Sequence, residues 1–122
     1  MAITLQNISV LMVALAFIAA GVNHFINPRF YLAIMPPYLP YHRELVYLSG
    51  VFEILGGIGV LFTATRQWAG IGLILLLLAV FPANIYMAMN TDKFYKIPAW
   101  GLYLRLPLQF VMIAWVWWTT LR

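Results

Sequence analysis

The sequence has no cysteine and very few charged residues. Without cysteine the chain itself forms no disulfide, no thiolate metal site and no thiol-based redox centre. Charged residues make up 8% of the 122 positions, whereas an ordinary soluble domain has about 25%. Hydrophobic residues make up 65%, and so few charges cannot cover a water-soluble surface. The composition predicts an integral membrane protein, and the length predicts a single domain over residues 1–122.

The positive net charge does not indicate a nucleic-acid partner. The formal charge is +4, but the seven Lys and Arg residues are scattered between apolar segments and form no cluster. This scatter is typical of the loops that connect membrane helices. We therefore expect the lipid bilayer, and no nucleic acid, as the surroundings of the chain.

Four apolar stretches have the length of about 20 residues that a bilayer-spanning helix needs. A spanning segment must satisfy its own backbone in lipid, and the alternating pattern of a β-barrel is absent, so each stretch is predicted to be helical. The predicted fold is an all-α, four-helix transmembrane bundle. The predicted helices cover about residues 5–26, 44–63, 69–89 and 99–121, and the loops cover residues 27–43, 64–67 and 90–98.

The flanking charges give two expectations about topology. The stretch Met1–Ser9 has no Lys or Arg, which a signal peptide needs, so the first segment is expected to be a retained helix. The positive-inside rule places both termini outside, because the first and third loops carry more basic residues than the opposite side. The basic residues of those loops are Arg29, Arg43, Lys93 and Lys96, and those of the opposite side are Arg66 and Arg122.

Several polar residues lie inside the apolar segments, where an ion costs about 2.5 to 3.5 kcal/mol. At 1.5 Å per residue, Glu53 lies about 13 Å and Arg105 about 10 Å from the segment ends at the first and third loops. Those two loops share one membrane face, so the polar positions cluster in one half of the bilayer. The sequence predicts a ligand-binding cavity that opens toward these loops. Its predicted lining is His24, Glu53, Asn84, Arg105 and Gln109.

A structural role explains the same residues equally well. Glu53 and Arg105 are expected in that case to form a buried ion pair that fixes the helix register, completed by His24 and Asn84. Asn84 also follows Pro82 closely, and in the structural interpretation it serves only to satisfy backbone groups that the proline frees. Both interpretations remain open at this point.

No metal-binding or catalytic spacing is present. The two histidines, His24 and His42, lie far apart, with no HExxH pattern and no cluster of carboxylates. No metal site is therefore predicted. Glu53 and His24 are the candidate catalytic residues, because a carboxyl group and an imidazole can act as an acid/base pair. Whether the protein is an enzyme stays open.

Four runs of the sequence resemble those of the small DoxX-like membrane proteins. The most distinctive are the glutamate of the second segment with its glycines and the Arg-Leu-x-x-Gln of the fourth. The resemblance extends over nearly the whole chain. The runs are Gly21–Pro28, Gly50–Gly59, Phe81–Ala88 and Leu104–Gln109.

This resemblance implies a four-helix membrane protein of the bacterial inner membrane. The DoxX family is named for a subunit type associated with thiosulfate:quinone oxidoreductase, and many members have no assigned activity. It looks similar to EXPERA-domain proteins, which bind or isomerise sterols between their helices. A quinone, not covalently bound, and a redox partner subunit are therefore implied, and the chemistry itself is left open.

The first hypothesis is a site for a quinone or another lipophilic small molecule in a redox context. Arg105, Gln109 and His24 would donate hydrogen bonds to a carbonyl, and Glu53 would exchange a proton. Phe52 and Phe81 are expected to hold the ring. Electrons would come from a partner.

The second hypothesis is a non-catalytic accessory or assembly subunit of a larger membrane complex. The polar cluster would then join the helices, and the Leu-rich segment Ile74–Leu78 would dock on the larger partner. A third hypothesis, an isomerase acting on a sterol or other lipid, needs both Glu53 and His24 within reach of one substrate. Each hypothesis also permits a homo-oligomer.

Overall fold

The protein is a bundle of four long α-helices with a short fifth helix between the first two. A computed structural model describes residues 4–94 and 97–121, all helices or their connections. Each long helix in this part of the chain is long and apolar enough to cross a membrane, and 17% to 33% of each apolar window is buried within the bundle. The helices are α1 (Leu5–Ile26), α2 (Pro28–Ile34), α3 (His42–Leu61), α4 (Arg66–Met89) and α5 (Ala99–Thr120).

The predicted four-helix bundle is confirmed, and two predicted helices begin earlier than expected. The predicted loop 27–43 was wrong in one respect, because it contains α2. Asn27 precedes a proline, which disfavours helical backbone, and so ends α1. Pro28 then occupies the first turn of α2, where its missing N–H leaves no bond unmade. The same Asn-Pro pair therefore ends α1 and begins α2.

The turn between α3 and α4 is stabilised by residues that look like loop residues in the sequence. Arg66 donates from Nε to the carbonyl of Val60 at 2.8 Å, and Thr65 donates from Oγ1 to the carbonyl of Gly59 at 2.6 Å. These bonds satisfy carbonyls at the end of α3, which have no partner within the helix. Because its side chain folds back in this way, Arg66 begins α4, ahead of the predicted start at residue 69.

The chain between α2 and α3 folds across one end of the bundle. His42 Nε2 lies 3.1 Å from the carbonyl of Pro36 and donates to it, which ties this segment to the start of α3. Tyr41 has a φ of 54°, a left-handed conformation in which the chain turns sharply into α3. On the same face, residues 91–94 form a 3-10 helix before α5. Two of the basic residues used to predict the orientation, Lys96 and Arg122, lie outside the described residues.

Helices α1 and α3 approach each other closely at three glycines. A Cβ atom built on Gly21 would lie 2.6 Å from the carbonyl oxygen of Gly50, and one on Gly57 would lie 2.8 Å from that of Ala14. A Cβ on Gly50 would lie 2.9 Å from the Cβ of His24. Small residues permit such close packing in membranes. Gly50 and Gly57 are therefore packing residues of this interface.

The buried core consists of two apolar clusters, and the predicted polar residues lie between them along α4 and α5. The first cluster, toward the termini, includes Leu73 and Val116; the second, toward the opposite face, includes Met87 and Leu102. Asn84 lies between Leu73 and Met87 in sequence, and Arg105 and Gln109 lie between Leu102 and Val116. The apolar clusters therefore isolate the polar residues from both membrane faces along these two helices.

A separate polar contact joins α1 to α5 near the termini. Ser9 Oγ lies 2.7 Å from Thr119 Oγ1, and the indole of Trp115 donates to Ser9 Oγ at 2.9 Å. Thr119 also donates to the carbonyl of Trp115, so these side chains satisfy one another. This contact lies at the opposite end of α1 from His24, and so provides a control site for the experiments below.

We expect Gly21→Ala to lower the stability of the bundle by about 1 to 3 kcal/mol, because the new methyl group meets a backbone carbonyl that cannot move freely. The matched control is Gly72→Ala, since a Cβ at Gly72 has nothing within 4 Å. The control should leave stability unchanged or raise it slightly through helix propensity. Reversible unfolding in mixed micelles measures both, and an equal effect of the two substitutions would contradict the close packing of α1 on α3.

Candidate functional site

The five predicted site residues line one cavity of about 480 Å³. The cavity is lined by residues of all four long helices, of α2 and of the segment that contains Pro36 and Leu39. Helix α3 begins two residues earlier than predicted, so Glu53 lies about 17 Å along the helix from its start, deeper than expected. The residues that the sequence placed together are His24, Glu53, Asn84, Arg105 and Gln109. Their binding of a ligand stays a prediction.

His24 and Glu53 form the acidic side of the cavity. His24 Nδ1 lies 3.1 Å from Glu53 Oε2 and 2.7 Å from the carbonyl oxygen of Ala20. A carbonyl oxygen only accepts, so Nδ1 carries a proton and donates it to Ala20. That proton is directed along α1, and Glu53 Oε2 receives no hydrogen bond from the described residues. His24 Nε2 then retains the lone pair when the ring is neutral.

The short helix α2 fixes the imidazole ring of His24 in place. The ring of Tyr31 stacks on that of His24, with centroids 3.7 Å apart and planes 15° apart. The hydroxyl of Tyr31 in turn accepts a hydrogen bond from Asn23 Nδ2 at 2.7 Å. Tyr31 is not among the predicted site residues, because the helix that presents it follows an Asn-Pro pair and lies in a predicted loop.

A chain of hydrogen bonds connects the three polar residues of α4 and α5. Arg105 donates from Nε to Asn84 Oδ1 at 3.1 Å, and Asn84 donates from Nδ2 to Gln109 Oε1 at 3.0 Å. Gln109 Nε2 then donates to the backbone carbonyl of Leu77. The amide groups of Asn84 and Gln109 are thus engaged with protein groups, and they orient the guanidinium of Arg105.

Two structural expectations are wrong. Glu53 does not pair with Arg105: among the described residues, the carboxylate contacts His24, and Arg105 bonds Asn84. Asn84 does not repair the backbone near Pro82 either, since its side chain bonds two other side chains. Gln109 reaches the backbone instead, at Leu77, about one turn before Pro82, the proline inside α4.

Three polar groups of the cavity receive or donate no hydrogen bond among the described residues, although one of them, Glu53 Oε2, lies 3.1 Å from His24 Nδ1. Glu53 Oε2 and Ser49 Oγ are both buried without a hydrogen bond, and they lie one turn apart on α3. Arg105 uses only Nε, which leaves the terminal nitrogens of its guanidinium as donors. Ser49 was missed as a site residue, although its spacing of four from Glu53 places both on one helix face. An unsatisfied buried polar group requires an explanation.

Two apolar residues or segments have roles other than those expected. Phe52 lines the cavity, but Phe81 is absent from its lining and packs edge-on against Phe110, with ring centroids 5.6 Å apart. The segment Ile74–Leu78 is not one flat docking face. Within it Leu75 and Leu78 are exposed, whereas Ile74 packs on the apolar core and the rest line the cavity.

The chemistry available in the cavity is hydrogen bonding and proton exchange. No group of three or more His, Asp or Glu residues that could hold a metal ion occurs within residues 4–94 and 97–121. The cavity offers a fixed cation at Arg105, a hydroxyl at Ser49, and a carboxyl group beside an imidazole at Glu53 and His24. Such a set suits a neutral ligand with hydrogen-bonding oxygens.

The fold and the cavity define a small four-helix membrane protein with a polar intramembrane site. The chain belongs to the family described as a domain of unknown function, DUF8561, whose model matches residues 13–120. This match includes all five predicted site residues. No curated protein and no solved structure matches the chain.

A double-mutant cycle tests the bond between Asn84 and Gln109. We expect Asn84→Ala and Gln109→Ala to be non-additive in unfolding free energy by about 0.6 to 1.7 kcal/mol, the range for interhelical hydrogen bonds in membranes. The control cycle pairs Asn84→Ala with Thr119→Val, at the other end of the bundle, and should be additive to within about 0.5 kcal/mol. Additivity in both cycles would mean that the bond does not connect α4 to α5.

Proposed function

We propose that this protein binds a quinone, or a lipophilic small molecule with similar polar oxygens, in the cavity between its helices. One observation carries the proposal: Asn84 and Gln109 are engaged with protein groups, whereas Glu53 Oε2, Ser49 Oγ and the terminal nitrogens of Arg105 make no hydrogen bond among the described residues. A purely structural cluster would satisfy its own polar groups, because an unpaired buried polar group is costly in lipid.

Arg105 is the main donor to the ligand in this proposal. Its terminal N–H groups would bond a ligand carbonyl, and the chain through Asn84 and Gln109 holds the guanidinium in position. Gln109 itself donates one N–H to the backbone of Leu77 and accepts from Asn84, and so orients the site. Phe52, in the cavity wall, packs against the apolar part of the head group.

Glu53 and Ser49 form the opposite side of the site. Ser49 can donate to or accept from a ligand oxygen, and Glu53 Oε2 can accept a hydrogen bond or exchange a proton with it. His24, 3.1 Å away, stabilises the carboxylate when its ring is protonated. A bound quinone supplies combined electron and proton transfer, and the residues of this chain supply the proton path and the orientation.

The proposal includes DoxX-like membership, a bacterial inner membrane location and a redox partner subunit. The four sequence runs that resemble the DoxX family contain each of the cavity's predicted polar residues, which supports this part. The chain has no cysteine, so a thiol-based electron transfer must lie on another protein. Electrons for a quinone would therefore come from such a partner.

Native mass spectrometry in mild detergent, with lipid extraction from the same sample, tests the proposal. We expect the wild-type protein to carry one quinone or similar lipid, and Arg105→Ala to lose it. Removing a charged hydrogen bond of about 1.5 to 3 kcal/mol corresponds to a ten- to hundredfold weaker Kd. Glu53→Gln should keep the fold and lose proton-coupled turnover.

The matched control is Ser9→Ala, which removes a buried polar group at the other end of α1 and should retain the ligand. Ser49→Ala should weaken binding by a smaller factor than Arg105→Ala, because a neutral bond is lost. A wild-type chain that is free of ligand and travels with a larger subunit would contradict the proposal. The accessory-subunit hypothesis would then be favoured, and Glu53→Gln should lower the yield of that complex.

A further inference from the structure

An apolar groove of about 640 Å³ runs along the outside of α3 and α4. It extends from the level of Phe52 and Ala79 to the turn between the helices, where Trp68 lines its end. From Ala79 to Trp68 the groove covers about 16 Å along α4, roughly half of the 30 Å hydrocarbon core. The groove thus lies in the half of the bundle that the polar cavity does not reach.

The groove and the polar cavity adjoin each other. Phe52, Leu76 and Ala79 line both of them, so the two spaces meet at one level of the bundle. The cavity presents Glu53, Ser49 and Arg105, whereas none of the described residues that line the groove is charged. The two adjoining spaces therefore offer polar groups inside the bundle and an apolar surface along its outside.

Resting on the proposed function, we propose that the ligand is an amphiphile with a single long apolar chain. Its polar head group lies in the cavity, and its chain lies in the groove between α3 and α4 and points toward the turn at Phe62–Thr65. The shared lining of the two spaces assigns the groove to the ligand's own chain, because a chain attached to a head group in the cavity lies next to the groove where Phe52, Leu76 and Ala79 line both.

Gly72 makes the groove testable. It lines the groove, and a Cβ built on it has nothing within 4 Å, so a side chain there begins in open space inside the groove. Gly56 is unsuitable, because its Cβ would lie 2.5 Å from Leu73 and the substitution would disturb the packing of α3 on α4. The control position is Ala114, an exposed residue of α5 that lines neither space.

The experiment compares the affinities of decylubiquinone and of its tail-less head, dimethoxymethylbenzoquinone. We expect Gly72→Phe to weaken the binding of decylubiquinone by about tenfold, a typical effect of filling an apolar pocket. It should leave the tail-less head unchanged, and Gly72→Ala and Ala114→Phe should change neither. The decyl chain of the probe partitions into detergent to the same extent with every variant. A difference in affinity between variants therefore reports on the groove.

A second measurement locates the end of the chain. Bromodecyl ubiquinone, with its bromine at the chain terminus, should quench tryptophan fluorescence more than decylubiquinone does, and this difference should disappear in Trp68→Phe. A difference that persists in Trp68→Phe would place the chain elsewhere and overturn the inference.

The outcomes separate this inference from the function on which it rests. Suppose that both probes bind the wild type, that Arg105→Ala weakens the binding of both, and that Gly72→Phe weakens the binding of neither. The cavity site then stands, and the groove assignment is overturned. If Gly72→Phe weakens the binding of decylubiquinone and Arg105→Ala weakens the binding of neither probe, the head group is not in the cavity. Both proposals then fail. Failure of both probes to bind contradicts both. A dimer that Gly72→Phe dissociates would assign the groove to a second copy.

Discussion

The close approach of α1 and α3 is the contact on which the site depends. Gly21 and Gly50 let the backbones touch, and the same approach brings His24 of α1 within 3.1 Å of Glu53 of α3. A side chain at either glycine would separate the helices and remove the imidazole from the carboxylate. Because lipid is as apolar as the helices themselves, such contacts between small residues, with hydrogen bonds, hold the bundle together.

The polar residues of the cavity divide into those that build it and those that it presents. Asn84 and Gln109 use their amides to connect α4, α5 and the backbone near Pro82, and they fix Arg105. On the other side, Tyr31 and the Ala20 carbonyl fix His24. Glu53, Ser49 and the terminal nitrogens of Arg105 remain available. This division argues for a binding site, since structural cohesion alone needs no unpaired groups.

Most of the fold and of the site lining follows from hydropathy and from the cost of charge in lipid. The four spans and the half of the bilayer that holds Glu53 and Arg105 come from lengths and from a rise of 1.5 Å per residue. The partner of the Glu53 carboxylate could not be predicted, because the rotation of each helix about its axis decides whether Glu53 contacts His24 or Arg105. Tyr31 could not be predicted as a site residue for another reason. Asn27-Pro28 predicts the end of a helix, and the short helix that follows lacks the length of a membrane-spanning helix.

The central claim is that Glu53 faces a ligand rather than completing a structural bond. Infrared difference spectroscopy of the carboxyl group on addition of decylubiquinone tests it most directly. The account predicts a shift of a carboxyl or carboxylate stretch that Glu53→Gln removes and Ser9→Ala retains, because a new hydrogen bond reaches Glu53. Saturating binding with no change in any Glu53 band would contradict the account and return the carboxylate to a purely structural role.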